Sequence, residues 1–153
     1  MITAGTQKFN RLIQKGRDVL PVEVKVEENL EALKKYAETS PLNKIEMNDT
    51  AIGVIASGVC YLHAREAFGE KASYLKPGIT YPLPENLIRD FCGKVQRVIV
   101  IEEGEPYLEE AVKALGIPCE GKAFTTKQGE LSAARIRAAF GLGGEPEITR
   151  SSL

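Results

Sequence analysis

Ala51-Ile52-Gly53-Val54-Ile55-Ala56-Ser57-Gly58, answered about forty positions later by Arg97-Val98-Ile99-Val100-Ile101-Glu102-Glu103-Gly104, is the pair of stretches on which the fold turns. Each is short, β-branched and almost wholly apolar, is broken at its C-terminal end by glycine, and leads into a segment of helical apolar periodicity. Runs that are apolar on both faces belong to strands covered on both sides, as the central strands of an open α/β sheet are. Between them lies a proline-dense loop, Leu75-Lys76-Pro77-Gly78-Ile79-Thr80-Tyr81-Pro82-Leu83-Pro84-Glu85, that runs straight into another amphipathic helix. The fold class is therefore α/β.

Outward from these stretches the remaining elements follow the same grammar. A strand is expected over 51–57 and a helix over 59–68 closed by Gly69, with a second strand over 73–76. Pro84 opens a helix with Leu87, Ile88 and Phe91 on one face, ended by Gly93; after the strand over 98–101, Pro106 opens another, carrying Leu108, Ala111, Val112 and Leu115 and stopped by Gly116. Residues 117–124 read as a further short strand and 125–129 as a loop, with Ser132 as N-cap of a helix over 133–140 closed by Gly141. Upstream, residues 27–39 form a helix with Leu30, Leu33 and Ala37 on one face, Glu27 and Glu28 in the first turn and Lys34 and Lys35 towards the last; Ser40-Pro41 stops it. The expected division is 1–39, an N-terminal linker and helix; 40–142, the α/β domain; and 143–153, a polar, turn-rich C-terminal linker.

Composition excludes several functional classes. Twenty basic against twenty-one acidic residues leave one formal negative charge in 153 residues, with no basic footprint for nucleic acid or an anionic membrane surface. The apolar runs are too short to span a bilayer, and Met1-Ile2-Thr3-Ala4-Gly5 has no secretory pattern, so a cytoplasmic location is expected. Cys60, Cys92 and Cys119 are odd in number and widely spaced, which fits neither a disulfide framework nor a close-set metal site.

Few residues are placed for chemistry. Ser57-Gly58 sits where a strand gives way to a helix, a place where backbone N–H groups can hold an anion, although no further glycines complete a dinucleotide fingerprint or a P-loop. Glu102-Glu103 ends a strand, but successive side chains on a strand point to opposite faces, which favours structural roles over a general acid–base pair. His63, the only histidine, has no triad partner and is read as a surface residue of its helix; Cys60 is read as buried and inert. Ile79, Tyr81 and Leu83 lie in a loop whose three prolines restrict the backbone, so they are either preorganised docking anchors or a cover over the domain's own core.

Taken together, AIGVIASGVCYLHAREAF, YLKPGITYPLPENLIRDF and RVIVIEEGEPYLEEAVKALGI resemble the middle region of the large subunit of indolepyruvate ferredoxin oxidoreductase, in the 2-oxoacid:ferredoxin oxidoreductase group. The resemblance covers about residues 40–141 and is specific as a combination of the glycine-terminated strand, the TYPLPE helix start and the VIEE strand end. It implies a three-layer α/β/α sandwich with a mostly parallel, mixed sheet, like the C-terminal domain of transketolase. It further implies a parent enzyme that oxidatively decarboxylates an aryl 2-oxoacid to an acyl-CoA with ferredoxin as acceptor. That enzyme would use thiamine diphosphate, Mg²⁺ and 4Fe–4S clusters.

The family's Gly-Asp-Gly and Asn-Asn diphosphate motif does not occur here, nor do four close-set cysteines. The expectation is thus a non-catalytic structural domain with no catalytic, cofactor or metal residue of its own. Its partners would be the other domains of the large subunit, a smaller subunit and ferredoxin. The alternative is a free-standing small-anion-binding domain. The residues named for an interface or an anion site are Ser57, Gly58, Lys76, Thr80, Tyr81, Leu83 and Glu103.

Overall fold

The computed structural model describes residues 24–125 and 127–143. The linker expected before residue 23 and the tail from residue 144 lie outside the described residues. The elements in chain order are α1 (residues 24–39), β1 (Lys44–Glu46), β2 (Ile52–Ala56), α2 (Gly58–Phe68), a 3₁₀ turn (Gly69–Lys71), β3 (Ser73–Lys76), α3 (Glu85–Cys92), β4 (Arg97–Ile101), α4 (Tyr107–Ala114) and α5 (Ala133–Phe140).

Four strands form one open sheet in the order β1-β3-β2-β4. β2 runs parallel to both β3 and β4, whereas β1 pairs antiparallel with β3, so the sheet is mixed and mostly parallel. The alternation of side chains along each strand sorts the core into two layers. Val54, Ala56, Tyr74, Ile99 and Ile101 pack with Cys60, Ala64 and Phe68 of α2 and Ile136 of α5. Ile55, Leu75, Val98 and Val100 pack instead with Ile88 and Phe91 of α3 and Leu108 and Val112 of α4. Helices on both faces of the sheet make a three-layer α/β/α domain, as the doubly apolar strands require.

Gly53 shows why β2 breaks its apolar run with a glycine. A Cβ there would lie 2.6 Å from Val95 Cγ2 and 3.1 Å from Phe91 Cε1, so the missing side chain lets the end of α3 close onto the strand.

One sequence expectation changes, and two features come from the structure alone. Residues 117–124 do not form a strand: only Glu120 bridges to Ile99 of β4, through its N–H to Val98 (3.0 Å) and its C=O from Val100 (2.7 Å). The chain then turns at once, held by the Phe124 and Thr125 N–H groups donating to the Gly121 C=O. The face of α1 is not buried along its length: Ala37 is fully buried, Leu30 half-buried and Leu33 exposed, because only the last turn meets the domain. Lastly, β1 was not expected, since Lys44-Ile45-Glu46 has a single apolar residue and is fixed by pairing with β3 rather than by its own pattern.

Candidate functional site

Because β2, β3 and β4 are mutually parallel, the loops that follow them share one edge of the sheet, the place where open α/β sheets receive ligands. Ser57, Gly58, Lys76 and Thr80 meet there in a shallow cleft of about 470 Å³, together with Pro41, Leu42 and Lys44. Four of the seven residues named from sequence are thus brought to one place. Gly58 has φ +54°, a left-handed conformation natural to glycine, and this turns the chain from β2 into α2. Ser57 is the N-cap residue of α2, yet its hydroxyl makes no capping bond and the first turn holds no acid.

Two lysines set the charge of this cleft. Lys44 and Lys76 stand directly opposite each other in the β1–β3 ladder, an arrangement of like charges that is unfavourable without a counter-charge. Lys76 Nζ lies over the Tyr61 ring, 5.4 Å from its centroid, while Lys44 makes no ion pair among the described residues. The cleft is therefore cationic and lies against the start of α2, which has no side-chain cap.

The acids of the edge are otherwise engaged. Glu102 turns both carboxylate oxygens to the start of α4, accepting from the Leu108 N–H (2.8 Å) and the Glu109 N–H (3.0 Å). Glu103 goes the other way: it accepts from the Leu131 N–H (2.9 Å) and does not line the cleft. As the strand alternation indicates, the pair does not converge on a common point. Glu38, from the last turn of α1, does for α3 what Glu102 does for α4, accepting from the Asn86 N–H and the Leu87 N–H at 3.0 Å each.

Sequence reasoning missed Glu38. Its signal is indirect: α3 and α4 both start on a proline N-cap, Pro84 and Pro106, with no side-chain acceptor of their own. The orphan N–H groups of a first turn then call for an acceptor from elsewhere in the chain.

The proline-dense loop is anchored from both sides. The Gly78 N–H donates to Asn43 Oδ1 (2.9 Å), and Tyr107 Oη donates to the Thr80 C=O (2.9 Å). Its apolar residues divide: Leu83 packs half-buried on the α3/α4 layer of the core, whereas Tyr81 projects into solvent at 69% exposure. His63 is half-buried on α2 with no hydrogen bond or ion pair among the described residues. Cys60 is buried in the α2/α5 layer, and burial pushes its thiol pKa up.

The described residues do not fit a metal or cluster. Among the described residues no group of three or more His, Cys, Asp or Glu side chains comes together. Burial also raises the pKa of Cys119, and of Cys92 to about 11, which disfavours the thiolates that a cluster needs. Nor does any described helix have the length and apolarity to cross a membrane.

These features define an open, mostly parallel three-layer α/β domain whose strand-end acids hold helix starts and whose cationic cleft sits at a strand-to-helix turn. No family model matches the sequence. The chain is similar to one portion of indolepyruvate oxidoreductase subunit IorA. It is 36% identical to that of Archaeoglobus fulgidus over 93 residues, covering 59% of this chain and 15% of the relative. For Pyrococcus horikoshii the figures are 33% over 135 residues, with 78% and 21% covered. For Methanothermobacter thermautotrophicus they are 32% over 140 residues, with 82% and 23% covered. The comparisons bear out the resemblance seen in the sequence, and they make it one to a partial domain: the chain spans less than a quarter of the relatives' length.

Proposed function

We propose that this chain is the non-catalytic assembly domain of a thiamine diphosphate-dependent indolepyruvate ferredoxin oxidoreductase. In this reading the parent enzyme oxidatively decarboxylates an aryl 2-oxoacid to its acyl-CoA and passes electrons to ferredoxin. The cofactor, Mg²⁺ and clusters belong to other parts of that enzyme, and this domain contributes packing surface towards the rest of the subunit, the smaller subunit and ferredoxin. The observation that carries the reading is the engagement of the strand-end and helix-end acids with backbone N–H groups: Glu102 and Glu38 each turn both carboxylate oxygens to the start of a helix, and Glu103 turns one to Leu131. Tyr81, exposed on an anchored loop, is the residue best placed to meet another domain.

The test uses the intact enzyme carrying His63→Ala or Glu103→Gln. Turnover per assembled enzyme should stay within about threefold of the parent, since neither side chain touches reacting atoms. A loss beyond about a hundredfold with assembly intact would show a catalytic role. Calorimetric heat when the chain alone meets thiamine diphosphate and Mg²⁺ would likewise overturn the reading.

The Lys44–Lys76 pair favours a second reading, in which the cleft holds a small anion. Inorganic phosphate titrated into the chain should then shift the amide resonances of Ser57 and Gly58, and Lys76→Ala should abolish the shift. An unresponsive Ser57–Gly58 turn rules this reading out.

A further inference from the structure

α1 carries an apolar seam that its own domain leaves open. Val26, Leu30, Leu33 and Ala37 recur at spacings of four, three and four, the heptad rhythm of a helix that packs against another helix. Only the last of them, Ala37, is fully buried; Leu30 is half-buried, and Val26 and Leu33 are 59% and 40% exposed. The seam thus starts in the core and continues outward with nothing over it among the described residues.

The charges beside the seam specify an occupant. Glu27, Glu28 and Glu31 lie towards the N-terminal end of α1, and Lys34 and Lys35 towards the C-terminal end. Within the chain, Lys34 Nζ pairs with Glu31 (2.6 Å) and also feels the nearby Glu85, but both members of the Lys34–Glu31 pair are largely exposed and the bond is easily shared. A parallel partner of the same sequence would set Glu27 against Glu27. An antiparallel one sets Glu27 beside Lys34 of the second copy, and by the two-fold axis makes the same pair again.

We infer that α1 is a self-association surface, on which a second copy of this chain lays its own α1 antiparallel. Leu30 and Leu33 of each helix then interdigitate about the axis. The contact is isologous and closes at two, so it gives dimers rather than filaments. Two heptads bury less than the roughly 1,600 Å² of a standard stable interface, so the dimer is weak, with a dissociation constant on the order of tens of micromolar. Lys34, at the inner end of this surface, lies near Tyr81 as well as Glu85, and the contact forms whether or not the function proposed above holds.

Sedimentation equilibrium of the full chain, from about 10 to about 500 μM, should show a monomer–dimer equilibrium. Leu33→Lys should leave only monomer with an unchanged circular dichroism spectrum. Glu27→Lys and Lys34→Glu should each weaken the dimer roughly tenfold, because each turns two attractive pairs into repulsive ones. Mixing these two variants should restore it, since the lysines of one copy then face the glutamates of the other at both ends of the contact. Two results would overturn the inference: a chain monomeric at the highest concentration, or a dimer indifferent to the charge exchange.

Discussion

Removing the Glu102 carboxylate separates a structural acid from a catalytic one. In Glu102→Ala the first turn of α4 loses two hydrogen bonds to a charged acceptor, from the Leu108 and Glu109 N–H groups. A bond to a charged group is worth about 1.5–3 kcal/mol net, and losing an N-cap acceptor costs about 1 kcal/mol. Glu102 is only half-buried, so water can replace part of what is lost, and the expected destabilisation is roughly 2 kcal/mol. For a chain of 153 residues that lowers the thermal midpoint by about 4–8 °C. Glu102→Gln keeps one acceptor oxygen but no charge and should lose about half as much. The assay is thermal denaturation followed by circular dichroism, with amide exchange to localise the effect: the Leu108 and Glu109 amides should exchange faster while those of β2 are unchanged. An active-site carboxylate behaves in the opposite way, since its removal usually leaves stability unchanged or raises it at the expense of turnover. A Glu102→Ala protein with an unchanged or higher midpoint would therefore refute the capping argument.

Three further outcomes follow from individual contacts. Gly53→Ala should destabilise the domain by about 1–3 kcal/mol in urea titrations, because its Cβ would stand 2.6 Å from Val95 Cγ2, and Val95→Ala should relieve most of that cost. Burial raises the pKa of Glu109, but the Lys113 ammonium and the Lys122 N–H outweigh it and hold the carboxyl below its ordinary 4.5. Its contribution is then complete above pH 4.5 and fades as pH falls through the lower native value, so Glu109→Gln should be less stable than the parent at neutral pH and converge with it in acid. Tyr81→Ala, at a side chain 69% exposed, should move the thermal midpoint of the chain by no more than about 2 °C while weakening co-purification with the rest of the oxidoreductase proposed above.

What the sequence disclosed and what it withheld differ in range along the chain. β2 and β4 were legible because burial on both faces writes itself as an unbroken apolar run, and α2 to α5 because one buried face repeats at helical spacing. β1 was not, since its place depends on an edge that β3 offers from some thirty residues away. The cleft shows the same division. Ser57, Gly58, Lys76 and Thr80 could be named because they follow strands, and parallel strands share one edge. Lys44 could not, since it arrives on the unforeseen β1. The separation of Glu102 from Glu103 was readable from strand alternation, whereas Glu38 was hidden because nothing local links residue 38 to a helix that begins at Glu85.

The capping scheme also limits where this domain can receive a charged ligand. α3 and α4 begin on prolines, and their exposed N–H groups are already met by carboxylates from α1 and from the end of β4. α5 is capped by its own Ser132, whose hydroxyl accepts from the Arg135 N–H. An anion approaching α3 or α4 would meet a resident negative charge and would have to displace two hydrogen bonds to enter. At α2 it meets the uncapped Ser57–Gly58 turn, with Lys44 and Lys76 beside it and no acid in the first turn. Charge and geometry therefore steer both readings of the molecule to separate places. Any anion belongs at the α2 turn, while Glu38 ties the last turn of α1 to the start of α3.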